Sequence, residues 1–415
     1  MLRAIKIRLY PNNTQQTIMN QYLGSYRFVY NNLLALKNNT YNNNKQNLGL
    51  TELSKHYHNV MLKDENLTWL KNINTKVMKQ AIRQLITSYN NFFNNNKGFP
   101  KFKSKKDNKL TCLFPLEAIS KTNTFDTKHI TLVKQLKNVK FKCSELYHNR
   151  LKTYKDNIKS ATLSKNKNGN YFLSILIDIP DSELIKFKHT NHNVGIDLGI
   201  KDFVITSDGE TFENKHFHKN NEQRFKRLQR QLSKKQKGSH NREKVRIRIS
   251  KLNERINNQK ENYLHSVVNS LLSDYDIIFM ENLNVSGMLK NHCLSKSIQE
   301  LSLFRFKSIL KDKSLMNGKY AIEVDRYYAS SKTCSVCGYK YNDLKLSERE
   351  WTCVHCGTHH NRDLNAAINI LHEGERNIGI RSAELTLVDN PPMDDKELKV
   401  PLKSSGWLKQ EIQNY

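Results

Sequence analysis

In "RAIKIRLYP", apolar Ile5, Ile7 and Leu9 alternate with basic Lys6 and Arg8, and Pro11 follows. Period two with a terminator predicts a strand with one apolar and one basic face. The period then changes. Asn13 with Gln16 reads as a helix cap, after which Tyr22, Tyr26, Val29 and Leu33 recur at helical spacing. Helical patterning runs to about Phe93, and the Asn-rich "KNNTYNNNKQN" is expected to interrupt it as a solvated loop. Gly98 and Pro100 break the helical pattern. From residue 111 to about 180 the chain is strand-like and closes with "ATLSKNKNGNYFLSILIDI", two strands about an Asn/Gly turn. A small β-barrel or sheet completed by the N-terminal strand is expected.

A second strand-rich region opens with "HNVGIDLGIKDFVITSDGETF", read as two strands joined near Gly199. Val245, Ile249, Leu252 and Ile256, then Tyr263, Val267 and Leu271, trace an apolar helical stripe within a pair of helices broken near "KGSHN". "DYDIIFMENLNV" is a short buried strand ending at Glu281, and "NRDLNAAINILHEG" is helical. Beyond about residue 376 no period persists, which predicts a mobile or loosely docked tail.

Charge narrows the partner. The chain holds 68 Lys and Arg against 39 Asp and Glu, a formal charge of +29 over 415 residues, far beyond what solubility asks. A polyanion is the natural counterpart. Mean hydropathy is −0.71, no apolar run approaches the ~20 residues of a spanning helix, and "MLRAIKIRLYP" is too short and charged for a signal peptide. Nucleic acid is therefore expected rather than a membrane. Residues 224–260 hold 14 Lys or Arg against Glu243 and Glu254, and Arg227, Arg230, Lys234 and Lys235 there are candidate phosphate contacts. In "NNNKGFPKFKSKKDNK", Lys101, Lys103, Lys105 and Lys106 flank Phe99 and Phe102, a mixture suited to a phosphate backbone with stacked bases.

Four of the seven cysteines form C-x2-C-x15-C-x2-C: Cys334, Cys337, Cys353 and Cys356, with Gly338 and Gly357 just past each pair. Two such knuckles match tetrahedral zinc, and a closed four-sulfur shell makes the ion structural rather than catalytic. Cys112, Cys143 and Cys293 are scattered, which argues for a reducing compartment. His355, His359 and His360 are surplus to a filled shell and are expected at the surface or on nucleic acid.

The buried-looking acids are few. Asp197 lies inside the apolar "VGIDLGI", Glu281 ends another apolar strand, and Asp363 opens an alanine-rich helix seven positions after Cys356. Each alone could be a turn residue, a strand-end charge or a helix cap. An unpaired carboxylate in an apolar strand is costly, so a cation is expected to face Asp197. Together the three fit phosphodiester cleavage with two divalent ions ~4 Å apart, held by carboxylates from different elements. Hard oxygen donors select magnesium or manganese there. This order of elements suits a ribonuclease-H-like fold.

The motifs "RLYPNNTQQ", "SYRFVYN", "GFPKFKSKK", "VGIDLGIKDF", "DIIFMENLNV", "SSKTCSVCGY" and "WTCVHCGTHHNRDLNAAINI" together resemble the TnpB family of transposon-encoded, RNA-guided DNA endonucleases, from residue 3 to about 372. The resemblance implies an α+β multidomain protein. Residues 1–10 and 111–185 become a wedge β-barrel, and 11–110 a helical recognition domain. Residues 190–332 and 358–375 become a RuvC-like nuclease domain with a basic helical insertion at 220–272. Residues 333–357 become a zinc ribbon, and 376–415 a tail. It implies that Asp197, Glu281 and Asp363 are catalytic ligands of Mg2+ or Mn2+, with Zn2+ on the four cysteines. Asn361 departs from the family, which often has an acid two positions before the last aspartate. Thr75 and Lys79 fall where the recognition helices read a short duplex motif. The implied partners are a guide RNA from the transposon end and double-stranded target DNA, with a cytoplasmic, nucleoid-associated monomer on one RNA. An unguided structure-selective nuclease of the same fold, such as a junction resolvase, and a non-enzymatic zinc-containing regulator of transposition are the other readings.

Overall fold

The computed structural model describes residues 1–379 apart from 106–108, 184–185, 291–294, 327 and 346–347. Lys106, Cys293 and the tail from residue 380 therefore lie outside the described residues. The chain divides into two compact units between Pro180 and Asp181.

In the first unit, β1 (Leu2–Tyr10) buries Ile5, Ile7 and Leu9 and exposes Lys6 and Arg8. It lies inside an antiparallel sheet with β2 (Lys109–Pro115), β3 (His129–Ile130), β4 (Val139–Lys142), β5 (Ile158–Asn166) and β6 (Tyr171–Asp178), in the order β2-β5-β6-β1-β4-β3. The first strand thus pairs along its length with the last, Leu2 opposite Asp178 and Leu9 opposite Tyr171. Between β1 and β2 come α1 (Asn13–Asn44), α2 (Leu50–His56) and α3 (Thr75–Asn94), and α4 (Glu145–Thr153) follows β4.

Two details of α1 differ from the sequence expectation. The cap is Asn12, whose Oδ1 accepts from Gln15 N at 2.8 Å while Gln15 Oε1 accepts from Asn12 N at 3.0 Å. The box sits one residue earlier because Pro11 ends the strand and leaves Asn12 extended. The Asn-rich stretch is not all loop: α1 continues through it to Asn44 before Lys45 turns left-handed at φ 55°. Tertiary contacts override the weak propensity of asparagine. Buried Lys37 bonds Asn47 Oδ1 and the Leu48 carbonyl with its ammonium 4.8 Å from the Tyr89 ring centroid, and Asn38 Oδ1 accepts from Tyr89 OH.

The second unit carries β7 (Asn193–Asp197), β8 (Asp202–Thr206), β9 (Thr211–Glu213), β10 (Ile277–Glu281) and β11 (Tyr320–Val324), in the order β11-β10-β7-β8-β9. β10 is parallel to both β7 and β11, whereas β8 and β9 are antiparallel. The helices are α5 (Glu222–Ser233), α6 (His240–Asp274), α7 (Val285–Met288), α8 (Ser295–Leu301), α9 (Leu303–Met316) and α10 (Arg362–Ile378). One face of the sheet, with Val194, Ile196, Ile278 and Met280, packs on Val267, Leu271 and Leu272 of α6 and Phe306 and Leu310 of α9. The other face is covered by α10, where Phe279, Val324 and Ile370 form a separate cluster.

The α10 layer lies unusually close to the sheet. A Cβ at Gly195 would stand 2.1 Å from the Ala367 carbonyl oxygen and 2.5 Å from Leu371 N, and one at Gly374 would stand 2.1 Å from the Phe279 ring. Strand and helix backbone touch at Gly195, so Gly195→Ala has nowhere to put a methyl without moving α10. We expect it to cost about 3 kcal/mol, read as a lowered urea midpoint in equilibrium unfolding.

Candidate active site and metal centre

Asp197 and Glu281 end adjacent parallel strands. The register pairs Met280 with Ile196, so one step further Glu281 stands opposite Asp197, about 4.8 Å away by strand spacing. Asp363 reaches them through the Gly195 contact. From Gly195 to Asp197 is two strand residues, about 6.6 Å, and from Ala367 back to Asp363 is one helical turn, about 6 Å. Helix and strand run oppositely, so Asp363 in the first turn of α10 arrives beside Asp197. The charges interact accordingly. Burial, then Glu281, then Asp363 push the Asp197 carboxyl up to about 7, against the Leu198 N–H and Arg362. Two of these carboxylates end parallel strands and the third opens α10, and the mutual repulsion of such groups is what a divalent ion would relieve.

Further contacts around this trio were not legible in the sequence. Buried Ser330 donates its hydroxyl to Glu281 Oε1. Arg349 Nη1 lies 3.0 Å from each Asp363 oxygen. Buried Lys307 donates to the Glu281 carbonyl and lies 3.0 Å from Glu323 Oε1. None of Ser330, Lys307 and Arg349 sits in a periodic pattern that marks its partner. Asn361 caps α10, its Oδ1 accepting from Asp363 N and Leu364 N at 3.1 Å each. An amide does this as well as a carboxylate, so the departure from the family pattern leaves the helix start intact.

The four sulfurs of Cys334, Cys337, Cys353 and Cys356 all lie within 4.8 Å of one another, with Cys334–Cys356 and Cys337–Cys353 each at 3.6 Å. Zn–S bonds of about 2.3 Å in a tetrahedron put sulfurs about 3.8 Å apart, so the set fits zinc. Both knuckles turn alike. Gly338 N donates to Cys334 O and Gly357 N to Cys353 O, each glycine at φ 75°, the left-handed region where a side chain would strain. Hydrogen bonds from Thr358 lower the Cys356 thiol while the neighbouring sulfurs raise that of Cys337, so one thiol of the crowded cluster ionises at the other's expense until a metal takes both.

One expectation is corrected here. His360 is buried, with Nε2 3.1 Å from Cys334 Sγ and its ring 4.8 Å from Trp351. It lies on β13 (His359–Asn361), paired to β12 (Glu350–Thr352), and the alternation of that strand turns it inward while His359 faces solvent. His355 is exposed and stacks on Tyr339.

The ribbon is wired to α10. β13 runs without a gap into the helix, and two buried asparagines one turn apart clasp the segment entering the first knuckle. Asn365 Nδ2 donates to Thr333 O at 2.7 Å and its Oδ1 accepts from Ser335 N, while Asn369 Nδ2 donates to Thr333 O and Ser330 O. Their spacing in "NAAIN" was a readable signal.

The basic candidates fall apart into groups. Thr75 and Lys79 are exposed one turn apart on α3. Lys101 and Lys105 are exposed, whereas the Lys103 ammonium is turned back over the Tyr30 ring at 4.0 Å. Arg227 and Arg230 on α5, and Lys234 and Lys235 just after it, face solvent.

The arrangement of strands and helices is that of a nuclease-like α+β protein. The chain matches the Cas12f1 protein of a solved Cas12f1–sgRNA–target DNA complex with a TM-score of 0.53 at 14% identity, over 89% of this chain and 98% of that one. Family models match residues 174–292 ("Probable transposase"), 304–370 ("Cas12f1-like, TNB domain") and 1–46 ("Helix-turn-helix domain"). On the last stretch the structure has a strand and one continuous 32-residue helix. A protein of Streptomyces pristinaespiralis named as an RNA-guided DNA endonuclease is 30% identical over 372 residues, 90% of this chain and 89% of the relative. InsQ of Escherichia coli, named likewise, is 27% identical over 392 residues, 90% and 92% of the two chains. The chain belongs to this family, the TnpB family.

Proposed function

We propose that the chain is an RNA-guided, magnesium-dependent DNA endonuclease encoded by a transposable element, with one RuvC-type active site. The observation that carries this is the convergence of Asp197, Glu281 and Asp363 from two strands and a helix. The strand order β9-β8-β7-β10-β11, antiparallel then parallel, supports reading residues 190–332 and 358–375 as a ribonuclease-H-like domain, with α5 and α6 as its basic insertion and 333–357 as its zinc ribbon. Residues 1–10 and 111–185 would be the wedge, and 11–110 the recognition domain.

Asp197, Glu281 and Asp363 would hold the ions, which when bound activate water and stabilise the leaving oxygen. Ser330 fixes the rotamer of Glu281. Arg349 neutralises Asp363, and a divalent ion in its place would release the guanidinium to hold a phosphate oxygen. The ammonium and guanidinium groups spread over α3, the 97–105 segment and α5 suit backbone contacts, with sequence choice delegated to base pairing. Among the described residues no helix is long and apolar enough to cross a membrane.

Sequencing the RNA that copurifies with the full chain tests this reading. The expected result is a single abundant species ending in variable sequence, with cleavage of matching duplex DNA requiring both that RNA and a divalent ion. Random RNA, with branched DNA cut equally well without it, would assign an unguided junction-type nuclease.

A further inference from the structure

Four aromatic rings gather where α3 ends. Tyr89 and Phe93 stack at 6.4 Å between centroids, and Phe92 meets Phe93 edge-on at 5.0 Å. Phe99, from the segment after the helix, packs edge-on against Phe92 at 5.3 Å and Tyr89 at 5.6 Å. Phe102 follows on the same segment. The base of the cluster is fixed: Tyr89 is buried, bonded to Asn38 and covered by Lys37, and Asn31 clamps Lys103 through both its backbone N and O at 2.9 Å. The outer rings are not covered. Phe93 is 68% exposed, Phe99 47% and Phe102 59%. Helix periodicity and core packing explain Tyr89; they do not explain three large phenyl rings held in water on a rigid base.

The surroundings identify what would cover them. From Asn66 to Lys106 the sequence carries nine Lys or Arg and no Asp or Glu. Lys97, Lys101 and Lys105 are exposed in the same stretch as the rings. An apolar protein partner has no use for that charge, whereas exposed π-faces beside exposed cations match the two faces of a single-stranded nucleic acid, its bases and its phosphates. Paired bases hide their faces in the helix stack, so the bases engaged must be unpaired.

We propose that Phe93, Phe99 and Phe102 form a preformed platform on which unpaired bases of the bound RNA stack, with Lys101 and Lys105 holding the adjoining phosphates. That the occupant is RNA rests on the guided-nuclease reading. The rigid platform suits a partner that stays bound, rather than DNA strands that part only during a cut.

The test uses the full-length protein, fluorescence anisotropy, and three labelled probes: a short single-stranded RNA, the same RNA as a duplex, and single-stranded DNA of the same sequence. Phe93→Ala with Phe102→Ala removes only exposed rings, so an unchanged melting temperature is expected. Single-strand RNA affinity should fall by about tenfold or more, duplex affinity should hold, and the slope of log affinity against log salt should not move. Lys101→Ala with Lys105→Ala should instead flatten that slope by about 0.7 per lost phosphate contact. Undiminished RNA binding by the Phe variant overturns the platform, as does an equal loss on duplex RNA. A loss larger on single-stranded DNA than on RNA overturns the assignment to RNA. If the unaltered protein binds no RNA at all, the guided-nuclease reading itself falls with it.

Discussion

Asp197→Asn should abolish DNA cleavage, by about 10³-fold or more, leave RNA binding intact, and make the metal-free protein more stable. The loss follows if Asp197 is one of three carboxylates that hold the proposed divalent ions, which would carry several kcal/mol of transition-state charge. The stability gain follows from the sign of the pKa shift. Burial, Glu281 and Asp363 hold the Asp197 carboxyl up at about 7, above its ordinary 3.8. The folded state therefore grips this proton more tightly than the unfolded chain does. The resulting stabilisation is complete below about pH 4 and is lost as pH rises through about 7. Metal-free wild type should lose melting temperature across that window, and the Asn variant should not. At pH 8 the variant should melt several degrees higher, a difference of about 4 kcal/mol. Adding Mg2+ should raise the melting temperature of wild type alone, since a ligand stabilises only a state that binds it. Calorimetry with and without Mg2+, beside a cleavage assay, reads all three effects. Wild-type cleavage by Asp197→Asn would place the active site elsewhere, whereas no cleavage by the unaltered protein would favour a non-enzymatic regulator.

Cys353→Ser should empty the thiolate cluster and, through it, disable the distant carboxylates. Among the described residues the ribbon's own core is small: a two-stranded pair, β12 and β13, and Leu344 and Trp351 with Tyr341 against them. A lone two-stranded ribbon is marginal in water, whereas a structural zinc contributes about 10–16 kcal/mol of folding free energy. Zinc content by elemental analysis should drop from one per chain to near zero, and the Trp351 environment should change in fluorescence. The effect on cleavage is carried by named bonds. Asn365 and Asn369 of α10 grip Ser330, Thr333 and Ser335, Ser330 orients Glu281, and Arg349 at the edge of the ribbon faces Asp363. A loosened ribbon releases both acids, so cleavage should fall at least about 100-fold. Full zinc content and full cleavage in Cys353→Ser would break this chain of contacts.

Local pattern carried much of the fold. Alternation in "RAIKIRLYP" marked β1 and its buried face, the break at "KGSHN" separated α5 from α6, and the knuckle glycines announced two equivalent turns. Where the sequence misled, tertiary contacts had overruled propensity. The asparagines after Lys37 stay helical because Lys37 and Asn38 are held by Tyr89 and by the residues near Leu48. His360 was expected at the surface because counting ligands says nothing about which face of β13 it occupies.

Spacing and residue type alone determined the four-thiol cluster, two knuckles whose ligands and glycines are close neighbours in the chain, and composition alone gave the cationic excess that fits nucleic acid. The same reading singled out three acids in apolar or helical settings as candidates. Only the tertiary structure decided that Asp197 and Glu281 end neighbouring parallel strands, that Gly195 lets α10 approach until Asp363 joins them, and that Ser330 and Arg349 complete the surroundings. Such contacts join residues 14 to more than 160 positions apart, and no local period encodes which distant backbone will stop within van der Waals reach of a missing side chain.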